Sequence, residues 1–182
     1  MQVTPTPLSG LLILTPHVFA DERGFFLESF NQRAFDAAVG LAVNFVQDNH
    51  SRSQRGVLRG LHYQLPPHAQ GKLVRVVRGS AFDVAVDIRK GSPTFGHWFS
   101  ATLDAAAQRQ MWIPAGFAHG FLALEDDTHF LYKTSDYYAR DCERAILWND
   151  PAISIDWPQL GGAPLLAAKD AAAPPLAHAE PF

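Results

Sequence analysis

Cysteine is almost missing from this chain, with Cys142 the only one among 182 residues. No disulfide can form within it and no cysteine-rich zinc framework is available, which points to a reducing compartment. An excess of positive charge is missing too. The formal net charge is -3, so the broad basic surface of a nucleic-acid binder is excluded, while a local basic pocket for a phosphorylated ligand is not. Long apolar runs are lacking: the first ten residues carry no basic start, and the run at 11–14 is far too short for a signal core or a membrane span. A cytoplasmic protein that engages neither membrane nor nucleic acid is expected. Helical periodicity is scarce, with residues 33–39, closed by Gly40, the one helical stretch in the first half. No fixed-period repeat, no alternation of strands and helices and no dividing linker interrupts the chain.

The composition is that of an ordinary globular protein, 47% apolar and 18% charged, and the length suits one domain. A single domain over 1–182 is expected, with the Ala- and Pro-rich stretch 161–182 an extension packed near the site. From Phe25 to Trp148, short β-branched and aromatic runs alternate with turn residues, the pattern of an antiparallel sandwich or barrel. Candidate strands cover 25–30, 45–49, 57–63, 72–78, 81–89, 97–103, 110–113, 120–124, 129–134 and 144–148. About ten strands predict an all-β jelly roll with a few short peripheral helices. The two-residue link Gly79-Ser80 reads as a tight hairpin joining 72–78 to 81–89.

Strict alternation in 81–87 puts Phe82, Val84 and Val86 on one face and Asp83 and Asp87 on the other. That second face either lines a wet cavity or points to solvent. In Arg59-Gly60-Leu61-His62-Tyr63-Gln64, charged groups stand among apolar strand residues and need a partner or a ligand. His62 is either a structural imidazole or an acid–base group that titrates near neutrality, and Arg59 an anion site. Their odd separation would put them on opposite faces of an ideal pleat. A glycine inside a strand often marks a bulge that shifts the alternation by one, so an irregularity is expected at Gly60. Tyr132 is either a packing residue or a proton donor.

The segment from Trp112 to Phe121 has a strand, a Pro-Ala-Gly turn and then His119, an outline shared with many cupins. Metal-binding cupins carry a His-x-His pair in their first motif. Here that motif reads His62-Tyr63-Gln64, leaving too few strong ligands for a tight site. Neither a metal nor another cofactor is expected.

Taken together, Arg59-Gly60-Leu61-His62-Tyr63-Gln64, Gln70-Gly71-Lys72-Leu73-Val74, Asp87-Ile88-Arg89, Pro114-Ala115-Gly116-Phe117-Ala118-His119-Gly120-Phe121 and Tyr132-Lys133-Thr134 resemble the dTDP-4-dehydrorhamnose 3,5-epimerase family in order and spacing. The likeness runs from Arg23 to Asp170. It implies a homodimeric cupin jelly-roll isomerase that takes a dTDP-linked 4-keto-6-deoxyhexose and inverts C3 and C5 beside the C4 ketone. Relatives that invert one carbon or move the ketone share the scaffold, and a sugar-binding module is the alternative of another class.

A proton beside a ketone is less acidic than imidazolium by roughly a dozen pK units, about 16 kcal/mol uphill, so a base alone is insufficient and the enolate oxygen needs stabilisation. By the resemblance, His62 is the base, Lys72 meets the enolate oxygen, Tyr132 returns the proton from the other face, and Asp170 orients His62, with Asp83 as fallback. Arg23, Phe26, Glu28, Gln47, Asn49, Arg59, His119, Tyr138, Glu143 and Lys169 match ligand contacts, Tyr138 as the ring that stacks on thymine and Arg59 as the diphosphate holder. Part of the amino-terminal set would come from the partner subunit. Ala167 stands where relatives often carry Ser.

Overall fold

A computed structural model describes residues 1–182, and its architecture is two antiparallel sheets face to face. The larger holds β1 (Gln2–Pro5), β2 (Leu12–Thr15), β10 (Gln110–Ile113), β7 (Lys72–Arg78), β12 (Thr128–Thr134) and β5 (Gln47–Ser53), in that spatial order. The smaller runs β13 (Glu143–Ala145), β6 (Leu58–Gln64), β11 (Phe117–Ala123), β8 (Ser80–Asp87) and β9 (Trp98–Asp104). A separate hairpin, β3 (Val18–Asp21) with β4 (Gly24–Leu27), joins neither sheet. The helix expected at 33–39 is α1 (Gln32–Val39). Asn31 caps it by accepting from Ala34 N–H at 3.1 Å, and Gly40 closes it in the left-handed conformation, as end-capping chemistry dictates.

The expected β-sheet protein is there, with several boundaries moved. The strand expected at 25–30 is confined to β4, because the chain must leave the hairpin before Asn31 to enter α1. The strand expected at 45–49 begins at Gln47 and runs on to Ser53, where its polar residues pair with β12 over the whole length. The Gly79-Ser80 hairpin is not formed. The strands on either side, β7 and β8, lie in opposite sheets, β7 between β10 and β12 and β8 between β11 and β9. Gly79, with φ +72°, turns the chain through a corner. The carbonyls of Gly79 and Ser80 accept instead from Ala105 N–H (3.1 Å) and Leu124 N–H (2.9 Å). With those groups satisfied from neighbouring turns, Val74 and Val76 of β7 face Ala81 and Ala85 of β8 across one core, burying both inner faces.

Three apolar clusters follow from the layering. The first lies between the sheets. A second, built on Val84, Val86, Leu58 and Leu61, lies on the outer side of the smaller sheet and is covered by Ile153, Trp157 and the carboxy-terminal stretch. The third sits under α1, where Phe35 packs among Phe45, Trp112 and Phe30. Because Val84 and Val86 face outward into the second cluster, Asp83 is turned inward and fully buried. The choice left open by alternation is thereby made in favour of the interior.

The tail crosses the smaller sheet and is tied down along its course. Leu165 bridges Val57 in parallel, Leu147 N–H donates to Pro174 O, Tyr63 hydroxyl donates to Glu180 O at 2.6 Å and Phe182 N–H donates to Ile88 O. Within it, the single turn α2 (Ala168–Ala171) carries Lys169 and Asp170.

Candidate active site

A cavity of about 690 Å³ lies between Trp148, Trp157 and residues 158–165, and Arg55 is its only ionisable lining group. It has no acid–base pair. The cavity that does, about 290 Å³, opens between the sheets and is lined by Arg59, His62, Lys72, His119, Tyr132, Tyr138, Glu143, Lys169 and Asp170 among others.

Arg59 and His62 share this space because β6 is irregular where expected. On β11 the partners of Arg59 and His62 are Phe121 and His119, two residues apart against three on β6, so one extra residue is accommodated around Gly60. Only glycine fits there. Its φ is +128°, and a Cβ would come within 2.5 Å of Gly120 Cα, so the two backbones meet at a pair of glycines.

His62 Nε2 lies 2.7 Å from Asp170 Oδ1, and Gly60 N–H points at the other carboxylate oxygen at 3.4 Å. Burial opposes ionisation of Asp170, but the hydrogen bond and charge of His62, helped by Gly60 N–H and Lys169, outweigh it and hold the carboxyl below its ordinary range. A carboxylate fixed behind an imidazole sets its tautomer and supports the positive charge it gains as a base. Asp83 does not fill that place. Its two oxygens lie 3.0 and 3.1 Å from His119 Nε2, because β8 and β11 are neighbours with Asp83 and His119 two register positions apart. Burial raises the Asp83 carboxyl and lowers the His119 imidazole, so both are pushed toward their neutral forms.

Lys72 enters from the first position of β7. Its Nζ donates to the His62 carbonyl at 3.3 Å, and burial pushes its titration down to about 8, with the charges of Asp83 and Glu143 acting the other way. Tyr132 comes from β12 in the opposite sheet. Burial raises its hydroxyl while Arg59 and Lys169 pull it down. The cavity thus holds an imidazole backed by a carboxylate in one sheet, a phenol and an ammonium in the other.

At the mouth, Glu143 accepts from Lys169 Nζ (2.7 Å) and from the Tyr138 hydroxyl (3.0 Å). Burial of Glu143 is outweighed by these two donors, so its carboxyl titrates below the usual range. Gln47 and Asn49 lie on β5 outside the cavity lining, on the face of cavity-lining Ser51, and Asn49 is the register partner of Tyr132. Arg23, Phe26 and Glu28 are not at this cavity. Arg23 pairs with Asp21 on the β3–β4 hairpin, Phe26 is 70% exposed there, and Glu28 accepts from Asn31.

Sequence reasoning passed over Ser51, Tyr63, Gln70, Phe121, Phe130 and Ala167 as lining residues, and read Gln64 only as a missing ligand. Ser51 and Phe130 were within reach, two residues from Asn49 and Tyr132 on the same strand faces. Gln64 is 5% exposed and its amide is committed to backbone groups of neighbouring loops.

A family model described as dTDP-4-dehydrorhamnose 3,5-epimerase matches residues 5–178. An enzyme of that description from Pseudomonas aeruginosa is 58% identical, with 100% of this chain and 99% of the relative covered. One from Shigella flexneri is 60% identical, covering 93% of each. Among solved structures, a dTDP-6-deoxy-D-glucose-3,5-epimerase from Legionella pneumophila, in complex with dTDP-4-keto-L-rhamnose, superposes with a TM-score of 0.94 at 51% identity, over 97% of this chain and 93% of that one.

Proposed function

The chain belongs to the dTDP-4-dehydrorhamnose 3,5-epimerase family, and from that premise we propose how its own side chains divide the work. It has the cupin jelly-roll fold of that family and is an isomerase that converts dTDP-4-dehydro-6-deoxy-D-glucose to dTDP-4-dehydro-L-rhamnose, in dTDP-rhamnose biosynthesis.

At each inverted carbon, His62 takes the proton, leaving the electron pair delocalised onto the C4 oxygen as an enolate. Lys72 stands by that oxygen as a preorganised cation, worth several kcal/mol in a site with little water. Tyr132 then delivers a proton to the opposite face of the carbon, and before the second inversion the His62 imidazolium releases its proton to solvent and the Tyr132 phenolate takes one up, so that both groups are reset. Asp170 holds His62 in the tautomer whose free nitrogen faces the sugar. The observation that carries this reading is the 2.7 Å His62–Asp170 pair in a cavity shared with Tyr132 and Lys72.

A cavity of about 290 Å³ suits the hexose rather than the whole nucleotide sugar, so the diphosphate and base lie along the mouth. There Arg59 and Lys169 meet the diphosphate, Glu143 contacts polar groups of the ligand and Tyr138 offers its ring to the thymine, while the buried His119 faces the ligand from inside the cavity.

The exposed β3–β4 hairpin and the unpaired outer edge of β5 support a homodimer in which the partner's hairpin supplies its own copies of Arg23, Phe26 and Glu28 to this mouth. We read residues 1–182 as one cupin domain whose 161–182 extension delivers Asp170. No helix is long and apolar enough to cross a membrane, and the single cysteine supports a cytoplasmic location.

The test is to incubate the protein with dTDP-4-dehydro-6-deoxyglucose in heavy water and follow deuterium by NMR. Label is expected at both C3 and C5. His62→Ala should abolish exchange at both carbons, while Tyr132→Phe should keep some exchange and lose inversion. Label at one carbon, or unchanged turnover in either variant, overturns the corresponding part.

A further inference from the structure

Three glutamine side chains from separate parts of the chain grip four consecutive residues of the loop that carries Tyr138. Gln70 Nε2 donates to Asp136 O at 2.8 Å. Gln64 Nε2 donates to Tyr137 O at 3.2 Å and to His68 O at 2.6 Å, and its Oε1 accepts from Ala139 N–H at 2.9 Å. Gln47 Oε1 accepts from Tyr138 N–H at 3.0 Å. Loops are ordinarily the mobile part of a fold, yet here residues 136–139 each have a backbone group held by an amide. The ring of Tyr138 is left 55% exposed, and its hydroxyl is tied to Glu143, the register partner of Gln64 on the neighbouring strand.

The chemistry of the grip is telling. An amide both donates and accepts, so Gln64 alone can hold a carbonyl and an N–H of one loop, which neither a carboxylate nor an ammonium can do. It does not titrate, so the grip is unaffected across the pH range in which neighbouring groups exchange protons. Any ordering of the loop that binding had to impose would be subtracted from affinity. We infer that Gln64, assisted by Gln47 and Gln70, is a positioning residue that presets the 136–139 backbone, so that Tyr138 meets the nucleotide base as a rigid platform. Gln64 lies two residues beyond His62 on β6, so one strand fixes both the base that works on the sugar and the surface that receives the nucleotide. This rests on the reading of Tyr138 as the residue that meets the base.

The experiment measures dTDP affinity by calorimetry, and KM and kcat for the keto-sugar, in the wild type, Gln64→Leu, Tyr138→Ala and the double variant. Leucine keeps the volume and removes the amide. Gln64→Leu is expected to weaken dTDP binding by about tenfold and to raise KM similarly, with kcat falling by less than about twofold. In the Tyr138→Ala background the same change should add less than about twofold, because the platform it positions is gone. A full, additive loss there overturns the inference and leaves the Tyr138 reading standing. Unchanged affinity in Tyr138→Ala overturns that reading and the inference with it. Should Gln64→Leu fail to fold, Gln70→Leu, at a half-buried position, carries the same comparison, with a loss of about threefold expected in the wild-type background and additivity again decisive against it.

Discussion

Lys72 is buried with its ammonium 3.3 Å from the His62 carbonyl and titrates at about 8 against 10.5 for a free lysine. Burial lowers the value, so the charge opposes folding. Below pH 8 both folded and unfolded chains carry it, and the cost is present in full. Between about 8 and 10.5 the unfolded chain holds a proton that the folded one has released, so stability rises with pH in that window. At 1.36 kcal/mol per pH unit the cost is roughly 3 kcal/mol. Lys72→Met is therefore expected to be more stable by up to about 3 kcal/mol at pH 7 in urea unfolding, and nearly inactive. The wild-type turnover should fall as pH rises through about 8, where the cation beside the enolate is lost. A Met variant no more stable than wild type, or activity flat to pH 10, would refute this account. The motif Gln70-Gly71-Lys72 and the family likeness it carries pointed to Lys72, which lines the cavity. Its altered titration was not, because that depends on how many atoms from both sheets surround the ammonium. The same holds for Asp83, whose sequence position allowed it to serve His62 and whose neighbour across β8 and β11 turned out to be His119.

The irregularity in β6 was readable from a conflict of period: two polar side chains needed in one pocket stood an odd number of residues apart, with a glycine between them. What could not be read was why glycine is required, since the close approach to Gly120 involves a residue 60 positions away. Gly60→Ala combines a positive φ with a Cβ 2.5 Å from a backbone carbon, and it should cost about 2–4 kcal/mol in chemical denaturation. It should also lower turnover, as Arg59 and His62 lose their common orientation. A loss below about 0.5 kcal/mol would show the backbone adapts. The corner at Gly79-Ser80 shows the opposite case. Turn chemistry is the same for a hairpin and for a step between sheets, and the decision lay with remote donors, the Ala105 and Leu124 amides.

In the proposed homodimer, assembly decides whether Arg23, Phe26 and Glu28 reach a site. Arg23, Phe26 and Glu28 lie away from the cavity of their own chain, so a dimer built by exchange of hairpins makes a sharp demand. Phe26→Ala and His62→Ala proteins are each expected to be nearly inactive. Unfolded together and refolded as an equal mixture, they should recover about a quarter of wild-type activity, since half the dimers are mixed and each has one intact site. No recovery, with mixed dimers demonstrated by mass, would place the hairpin in its own subunit's site.

The order of residues was enough to determine the class of fold and the absence of a His-x-His pair, because strand alternation and short motifs are local properties of the chain, while likeness to a family, carried by those motifs, singled out His62, Lys72 and Tyr132 and left Asp170 and Asp83 as candidates to stand behind His62. Which strands share a sheet, which carboxylate stands behind which imidazole, and where a buried ammonium titrates were decided only in three dimensions. Those outcomes depend on distances and desolvation between groups far apart in the chain, 108 positions for His62 and Asp170, and no local pattern encodes them.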